Sequence, residues 1–209
     1  MPAGGFASTI NAVSTPENSV EVRTRAEWRR WLAKHHQRDN GVWLITFKKN
    51  SGSPHLDNNA AVEEALSFGW GDSKPGKVDA QRTKLWFAPR KPRTGWSKLN
   101  KERIARLIES RKMEPAGLRK IAAANADGSW SKLDAVEALE VPPDLREAFT
   151  LHPGSAANFE AFPRSAKRGI LDWILQARKP DTRARRIAET ATLAARNERA
   201  NQWRKNGTR

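Results

Sequence analysis

The sequence predicts an α+β fold, with a small N-terminal β-α-β-α-β(β) lobe followed by an all-helical C-terminal lobe. Strand and helix patterns alternate up to about residue 96, and only helical patterns follow. The 209 residues suffice for one sizeable core or two small lobes. We therefore expect a disordered tail at 1–17, an α+β lobe at 18–96, a helical lobe at 97–197 and a basic frayed tail at 198–209.

The predicted N-terminal lobe begins with a short strand and a capped helix. Val20 and Val22 alternate with polar residues, as in a strand. Thr24 and Glu27 have the spacing of a capping box, which predicts a helix over residues 25–36. One face of that helix carries Trp28, Trp31, Leu32 and His35.

The rest of the lobe is predicted from one apolar run and one further helix. Residues 42–47 are β-branched, aliphatic and aromatic, which indicates a buried strand. Asn58 or Asn59 is expected to cap a helix over residues 60–68, which Gly69 ends. We interpret residues 70–76 as a turn-rich loop that leads into a strand or hairpin ending at Trp86 and Phe87.

Helical signals fill the second half. Residues 100–111 carry an apolar stripe, Pro115 stands at a first helical position, and Asp127 with Gly128 ends that helix. The remaining predicted helix starts are Pro142-Pro143, Ser155, Ser165 and Asp181.

The net charge of +15 is concentrated in two blocks, residues 82–106 and 177–209. Blocks of this kind attract polyanions such as nucleic acid, an anionic membrane surface or phosphorylated small molecules. The alternative is a solvated basic surface without a specific ligand.

Several classes of protein are excluded or disfavoured by composition. The chain has no cysteine, which excludes disulfides, thiolate metal sites and cysteine nucleophiles. Its four histidines lack metal-site spacing, so we expect neither a metal nor a cofactor. Residues 71–77 resemble a phosphate-binding loop, but Val78 replaces the required Ser or Thr. No apolar run approaches the ~20 residues of a membrane span, and no secretory signal precedes the fold, so a soluble cytoplasmic protein is expected.

The segment 84–100 combines prolines, cations and aromatic rings. Pro89 and Pro92 cannot continue a strand, so the residues between and after them are expected on a stiff, solvent-facing basic arm (residues 89–93). The predicted ligand-binding residues are Trp70, Arg90, Lys91, Arg93, Trp96, Lys98 and Asn100, the two tryptophans serving either as stacking platforms or as structural anchors. A second basic patch is expected from Arg178, Arg183, Arg185 and Arg186.

Five ordered motifs resemble the YdeI/OmpD-associated family, whose members are often labelled bacteriocin-protection or OmdA-like proteins. They are Glu64-Ala65-Leu66-Ser67-Phe68-Gly69-Trp70-Gly71-Asp72, Phe87-Ala88-Pro89-Arg90-Lys91-Pro92-Arg93, Trp96-Ser97-Lys98-Leu99-Asn100, Met113-Glu114-Pro115-Ala116-Gly117-Leu118 and the closing stretch 177–187. The resemblance covers roughly residues 20–197. It implies a stress role in resistance to bacteriocins or cationic antimicrobial peptides, and it carries no catalytic set. Gly71, Ser73 and Glu114 depart from the family pattern, and Gly71 predicts a more flexible loop.

These observations favour a non-catalytic cytoplasmic protein that binds an anionic ligand through the basic arm. Because like charges repel, a basic protein is a poor direct trap for cationic peptides, so any resistance would be indirect. The alternative is an enzyme with a pocket between the two lobes, in which Glu64 and Asp72 act as acid and base and Arg90 fixes the substrate. A third hypothesis is a regulator that binds a protein partner through the arm.

Overall fold

The computed structural model describes residues 16–202 and confirms the α+β class. The described strands are β1 (Ser19–Glu21), β2 (Val42–Phe47), β3 (Trp70–Lys77) and β4 (Arg82–Pro89), and they form one sheet in the order β1-β2-β4-β3. β1 pairs with β2 in parallel, while β4 pairs antiparallel with both β2 and β3. This matches the predicted order of strands and helices.

The described residues divide into two compact units. The first contains residues 16–94 and 99–129, and the second contains 95–98 and 130–202. The predicted boundary between residues 96 and 97 differs from this division, because two helices expected in the helical lobe belong almost wholly to the first unit. Gly117 shows why: a Cβ on it would meet the Ser67 carbonyl oxygen at 2.3 Å, so its helix packs directly on the end of an N-terminal helix.

The helices of the first unit follow the predictions closely. They are α1 (Arg25–His35), α2 (Asn58–Ser67), α3 (Lys98–Glu109) and α4 (Pro115–Ala126). The Thr24 hydroxyl accepts a hydrogen bond from the Glu27 N–H at 3.2 Å, as the capping box predicts. For α2 the cap is Asp57, not an asparagine, because its carboxylate accepts from the N–H groups of Asn59 and Ala60.

The predicted loop at 70–76 is strand β3 instead. Its polar composition suggests turns, but β3 is an edge strand, where polar side chains and a proline without an N–H are tolerated. The pairing with β4 runs from Trp70 opposite Pro89 to Lys77 opposite Thr83 and shifts register between Asp72 and Pro75. The sequence pattern of this irregular edge strand, with its polar residues and Pro75, was therefore misread as a loop.

The first core lies between the sheet and α1. Trp28 of α1 and Phe87 of β4 are fully buried there, with ring centroids 5.3 Å apart. The Trp28 indole N–H donates to the Ala61 carbonyl oxygen at 3.0 Å, which fixes α1 against α2. This packing places the end of α1 beside the start of β3.

The second unit is helical, as predicted. Its helices are α5 (Asp134–Glu137), α6 (Pro143–Thr150), α7 (Ser155–Ala161), α8 (Arg164–Leu175) and α9 (Pro180–Ala195), of which α5 was not predicted. The expected caps Ser155, Ser165 and Asp181 lie just inside their helices, and the cap positions belong to Gly154, Pro163 and Lys179. The Ser155 hydroxyl is buried and donates to the Phe149 carbonyl oxygen at 3.2 Å, so it serves packing and not capping.

The chain beyond α9 packs back on its own unit as far as residue 202. Ala200 is buried in the second core, and the Asn201 amide donates to the Gly169 carbonyl oxygen at 3.2 Å. This contrasts with the frayed tail expected from residue 198, of which 203–209 lie outside the described residues. The expected N-terminal tail lies outside them too, apart from residues 16 and 17. Within the described part of the chain, no helix has the length and apolarity to cross a membrane.

Candidate functional site

A cleft of about 320 Å³ opens on the first unit, where four segments meet. We call it the basic cleft, and it is lined by His36, Gln37, Arg38, Asp39, Phe68, Gly69, Trp70, Pro89, Ala116, Arg119 and Lys120. The segment after α1 contributes one wall and α4 another. The turn between α2 and β3 and the last residue of β4 complete it.

Gly69 sets the close approach of α4 to the sheet. Its φ of +79° is left-handed, and a Cβ there would meet Lys120 Cγ at 2.7 Å. The Gly69 carbonyl oxygen accepts from the Arg90 N–H at 3.0 Å. In turn Lys120 Nζ donates to the Arg90 carbonyl oxygen at 2.9 Å. The start of the basic arm is therefore joined to α4 at the rim of the basic cleft.

Aromatic rings build the floor of the basic cleft. Trp70 is fully buried, and its indole N–H donates to the His36 carbonyl oxygen at 2.9 Å. Its ring meets Trp31 edge-on at 5.9 Å. His36 in turn lies 5.4 Å from Phe68, centroid to centroid. Trp70 is therefore a structural anchor and not the exposed stacking platform that was one of its predicted roles.

The lining of the basic cleft contains three cations and one carboxylate. Arg38 lies over the Trp31 ring with its guanidinium carbon 5.6 Å from the ring centroid. Arg119 is exposed, and Lys120 is half-buried against Gly69. Asp39 is the acidic lining residue among those that the structure describes. The lining thus has an excess of positive charge.

Arg90 is not displayed to solvent as expected. Burial lowers the pKa of Arg90 to about 10, and the nearby charge of Asp72 partly opposes that shift. Its Nη1 would lie 3.3 Å from a Cβ on Gly71, so the side chain covers that glycine in β3 instead of leaving a flexible loop. Lys91 and Arg93 are exposed, and the Arg93 backbone N–H donates to Asp127 at 3.1 Å.

The remaining predicted binding residues, Trp96, Lys98 and Asn100, differ in their exposure to solvent. Trp96 is 3% exposed and packs against Trp130 at 5.3 Å, which makes it a structural anchor as well. Lys98 is exposed at the start of α3. Asn100 is half-buried, and its side-chain oxygen accepts from Arg103 at 2.8 Å.

Glu64 of the alternative enzyme hypothesis lies in an ion-pair cluster. Its side chain is 4% exposed, with Arg25 Nε 2.5 Å from one carboxylate oxygen and Arg29 Nη1 2.7 Å from the other. Asp72 is exposed on β3 and lies near enough to Arg90 to influence its pKa. The structure therefore brings Asp72 and Arg90 together and holds Glu64 in contacts with α1.

Two of the four arginines in the predicted second patch contact their own unit. Arg183 donates to both carboxylate oxygens of Asp144, at 2.6 and 3.0 Å. Arg186 lies over the Trp173 ring at 4.8 Å and donates to the Trp173 carbonyl oxygen. Arg178 and Arg185 are exposed.

Sequence reasoning missed most of the basic cleft. His36, Arg38, Arg119 and Lys120 lie outside the two blocks of excess charge. Arg119 and Lys120 are adjacent on the helix predicted to start at Pro115, and Arg38 follows a helix end. No local pattern connects these positions, which meet only because α4 packs against the α2–β3 turn.

Two different protein families match two separate regions of the chain. Residues 138–197 match the family described as Bacteriocin-protection, YdeI or OmpD-Associated. That segment is similar to the OmdA family. It spans α6 to α9 and confirms the resemblance for the C-terminal part of the chain. Residues 20–120 match a Domain of unknown function (DUF8412), so the basic cleft and four of the five motifs lie there, outside residues 138–197. No curated protein and no solved structure gives a significant match.

Proposed function

We propose that the protein is a non-catalytic cytoplasmic binding protein that holds an anionic, phosphate-bearing ligand in the basic cleft. The observation that carries the proposal is the convergence of Arg38, Arg119 and Lys120 from segments far apart in sequence. Guanidinium and ammonium groups are the side chains that bind phosphate most strongly, the first in bidentate geometry and the second as a point charge.

The dimensions of the basic cleft support a small ligand or one segment of a larger one. A cleft of about 320 Å³ lies at the lower end of the usual range for ligand sites, ~300–1,000 Å³. Lys120 uses one donor on the Arg90 carbonyl oxygen, and an ammonium group has two more. The exposed Lys91 follows Arg90 directly and adds positive charge near the rim.

We propose a non-catalytic role because of the contacts that Glu64 and Asp72 make. Both oxygens of Glu64 are paired with arginines and its side chain is only 4% exposed, so a substrate has little access to this carboxylate for proton transfer. Asp72 is exposed on an edge strand near Arg90, where it acts as a counter-charge.

The similarity of residues 138–197 to the OmdA family supports a link to bacteriocin protection, which we propose is indirect. A chain with a net charge of +15 repels cationic peptides. Binding an anionic cellular component fits the same charge and does not require contact with the peptide.

Titration calorimetry with inorganic pyrophosphate at low salt tests the proposal. The double variant Arg38→Ala/Arg119→Ala is expected to bind at least tenfold more weakly, since each charge-assisted hydrogen bond contributes about 1.5–3 kcal/mol. The control Arg185→Ala removes an exposed arginine of α9 and should bind as the unmodified protein does. Equal losses in both variants, or no pyrophosphate binding at all, would contradict the proposal.

A further inference from the structure

The outer face of α1 carries a ridge of cations and rings that leads to the basic cleft. We call it the α1 ridge, and it consists of Arg30, Trp31, Lys34, His35 and Arg38. Its three cations follow one another at four-residue intervals, which places those on the helix about 6 Å apart along one face. Arg38 lies just beyond the helix end and also lines the basic cleft.

A stack of three rings runs through this helix from the core to solvent. Trp28 is fully buried and stacks on Trp31, with ring centroids 5.2 Å apart and planes inclined by 16°. Trp31 is half-buried and lies 4.7 Å from His35, inclined by 37°. His35 is exposed, so it forms the solvent end of a stack anchored in the core.

The surface around these rings is shallow and predominantly positive. Glu27, Arg30, Trp31, Lys34 and His35 line a depression of about 310 Å³. Arg30 and Lys34 are exposed there. Glu27 is the opposing charge, and its carboxylate is held by the Arg23 N–H at 2.8 Å, at the far end of the helix from the basic cleft. Positive charge therefore predominates from Arg30 towards the basic cleft.

We propose that the α1 ridge binds single-stranded nucleic acid. Successive phosphates contact Arg30, Lys34 and Arg38, an unpaired base stacks on His35, and the next phosphate enters the basic cleft. Proteins that bind single strands combine a cationic track with rings on which bases stack, because every base has a π-face. A duplex keeps its bases stacked on one another and cannot use the ring stack. The inference rests on the proposed function: it identifies the phosphate-bearing ligand as single-stranded nucleic acid, one phosphate of which the basic cleft holds.

Fluorescence anisotropy with a short labelled oligothymidylate, measured over a range of salt concentrations, tests the cations. Four phosphate contacts, three on the α1 ridge and one in the basic cleft, predict a slope of log K against log[salt] of about −3, and Arg30→Ala/Lys34→Ala should reduce its magnitude by about 1.4. The matched control Arg178→Ala/Arg185→Ala removes two exposed charges elsewhere and should leave the slope unchanged. An unchanged slope in the first variant, or an equal reduction in the control, overturns the proposal.

Two substitutions of His35 test the ring stack. His35→Ala should weaken oligothymidylate binding about tenfold, and His35→Phe should restore it, because a phenyl ring stacks without the imidazole nitrogens. A purely structural role would lower the thermal midpoint of His35→Ala and leave affinity unchanged. Equal weakening by Ala and Phe, or equally tight binding of a duplex of the same length, overturns the stacking assignment.

The same variants separate this inference from the proposed function. Arg30→Ala/Lys34→Ala leaves Arg38, Arg119 and Lys120 of the basic cleft in place, so pyrophosphate binding should persist. Pyrophosphate binding without oligothymidylate binding overturns the nucleic-acid assignment alone. If the unmodified protein does not bind pyrophosphate, the proposed function is overturned.

Discussion

Arg29 and Glu64 form an ion pair across the helices of the first unit, with Arg29 Nη1 2.7 Å from Glu64 Oε2. The same guanidinium also reaches the carboxylate of Glu114 and the carbonyl oxygen of Lys112. Because Glu114 is the N-cap residue of α4, one arginine on α1 connects α2 and the start of α4. These helices carry or adjoin walls of the basic cleft, so the ion pair supports the geometry of the site.

Glu64→Gln is expected to lower the free energy of unfolding by about 3 kcal/mol, because it leaves Arg25 and Arg29 beside a neutral, buried amide. Urea denaturation followed by circular dichroism measures the change. Glu63→Gln is the control: its side chain is more exposed, at 22%, and its pairs with Arg25 and Arg106 are longer, at 3.1 and 3.7 Å. Its cost should stay below about 1 kcal/mol. Equal costs for the two variants would refute the buried-pair argument.

Gly117→Ala should destabilise the protein by about 2–3 kcal/mol, although alanine is the better helix former. Its Cβ would meet the carbonyl oxygens of Ser67 and Leu66 at 2.3 and 2.9 Å, and backbone cannot move aside cheaply. Pyrophosphate affinity should fall as well, since α4 carries Arg119 and Lys120.

The control for that prediction is Gly169→Ala in α8. A Cβ there meets nothing within 4 Å, so helix propensity alone should raise stability by about 0.5–1 kcal/mol. Thermal unfolding of both variants checks the pair. A stabilised Gly117→Ala would show that α4 does not pack on the α2 end as described.

Trp70→Phe should cost about 2–3 kcal/mol, because it removes a donor from the buried His36 carbonyl oxygen and leaves a small cavity. Anion binding should weaken with it, since Trp70 forms the cleft floor. The control is Trp28→Phe, which removes an equivalent indole hydrogen bond, to the Ala61 carbonyl oxygen, at a residue outside the lining of the basic cleft. We expect a similar stability loss in Trp28→Phe with pyrophosphate affinity preserved. Parallel losses of affinity would indicate a global effect instead.

The Asp144–Arg183 pair predicts a pH-dependent coupling in the second unit. Hydrogen bonds from Arg183 lower the pKa of Asp144 below its usual value of about 3.9, against the opposing effect of burial. Because the pKa of Asp144 is lower in the folded than in the unfolded protein, the pair stabilises the fold fully at pH values above the unfolded-state pKa. This stabilisation disappears as the pH falls through the lowered folded-state pKa.

A double-mutant cycle with Asp144→Asn and Arg183→Leu measures this coupling. Both side chains are partly exposed, at 43% and 31%, so about 1 kcal/mol is expected at pH 7. The coupling should approach zero once the carboxylate is protonated. A coupling that persists in acid would assign the interaction to packing and not to charge.

Local patterns determined most of the secondary structure. The hydroxyl of Thr24 and the ring of Pro115 specify where α1 and α4 begin, because each acts on the backbone within its own first turn. The alternation of strands and helices, and then helices alone, predicted the α+β class. The same local reasoning failed for β3, because a polar edge strand with a proline has the composition of a turn.

The sequence by itself determined most of the elements, their order, the excess of positive charge and the resemblance of residues 138–197 to a known family. Tertiary structure alone decided which charges can act together. Arg90, in the predicted arm, is half-buried beside β3, while Arg38 of the segment after α1 meets Arg119 and Lys120 of α4. The physical reason is that capping and periodicity act over a few residues. Burial and charge proximity depend on packing between elements that are distant in the chain.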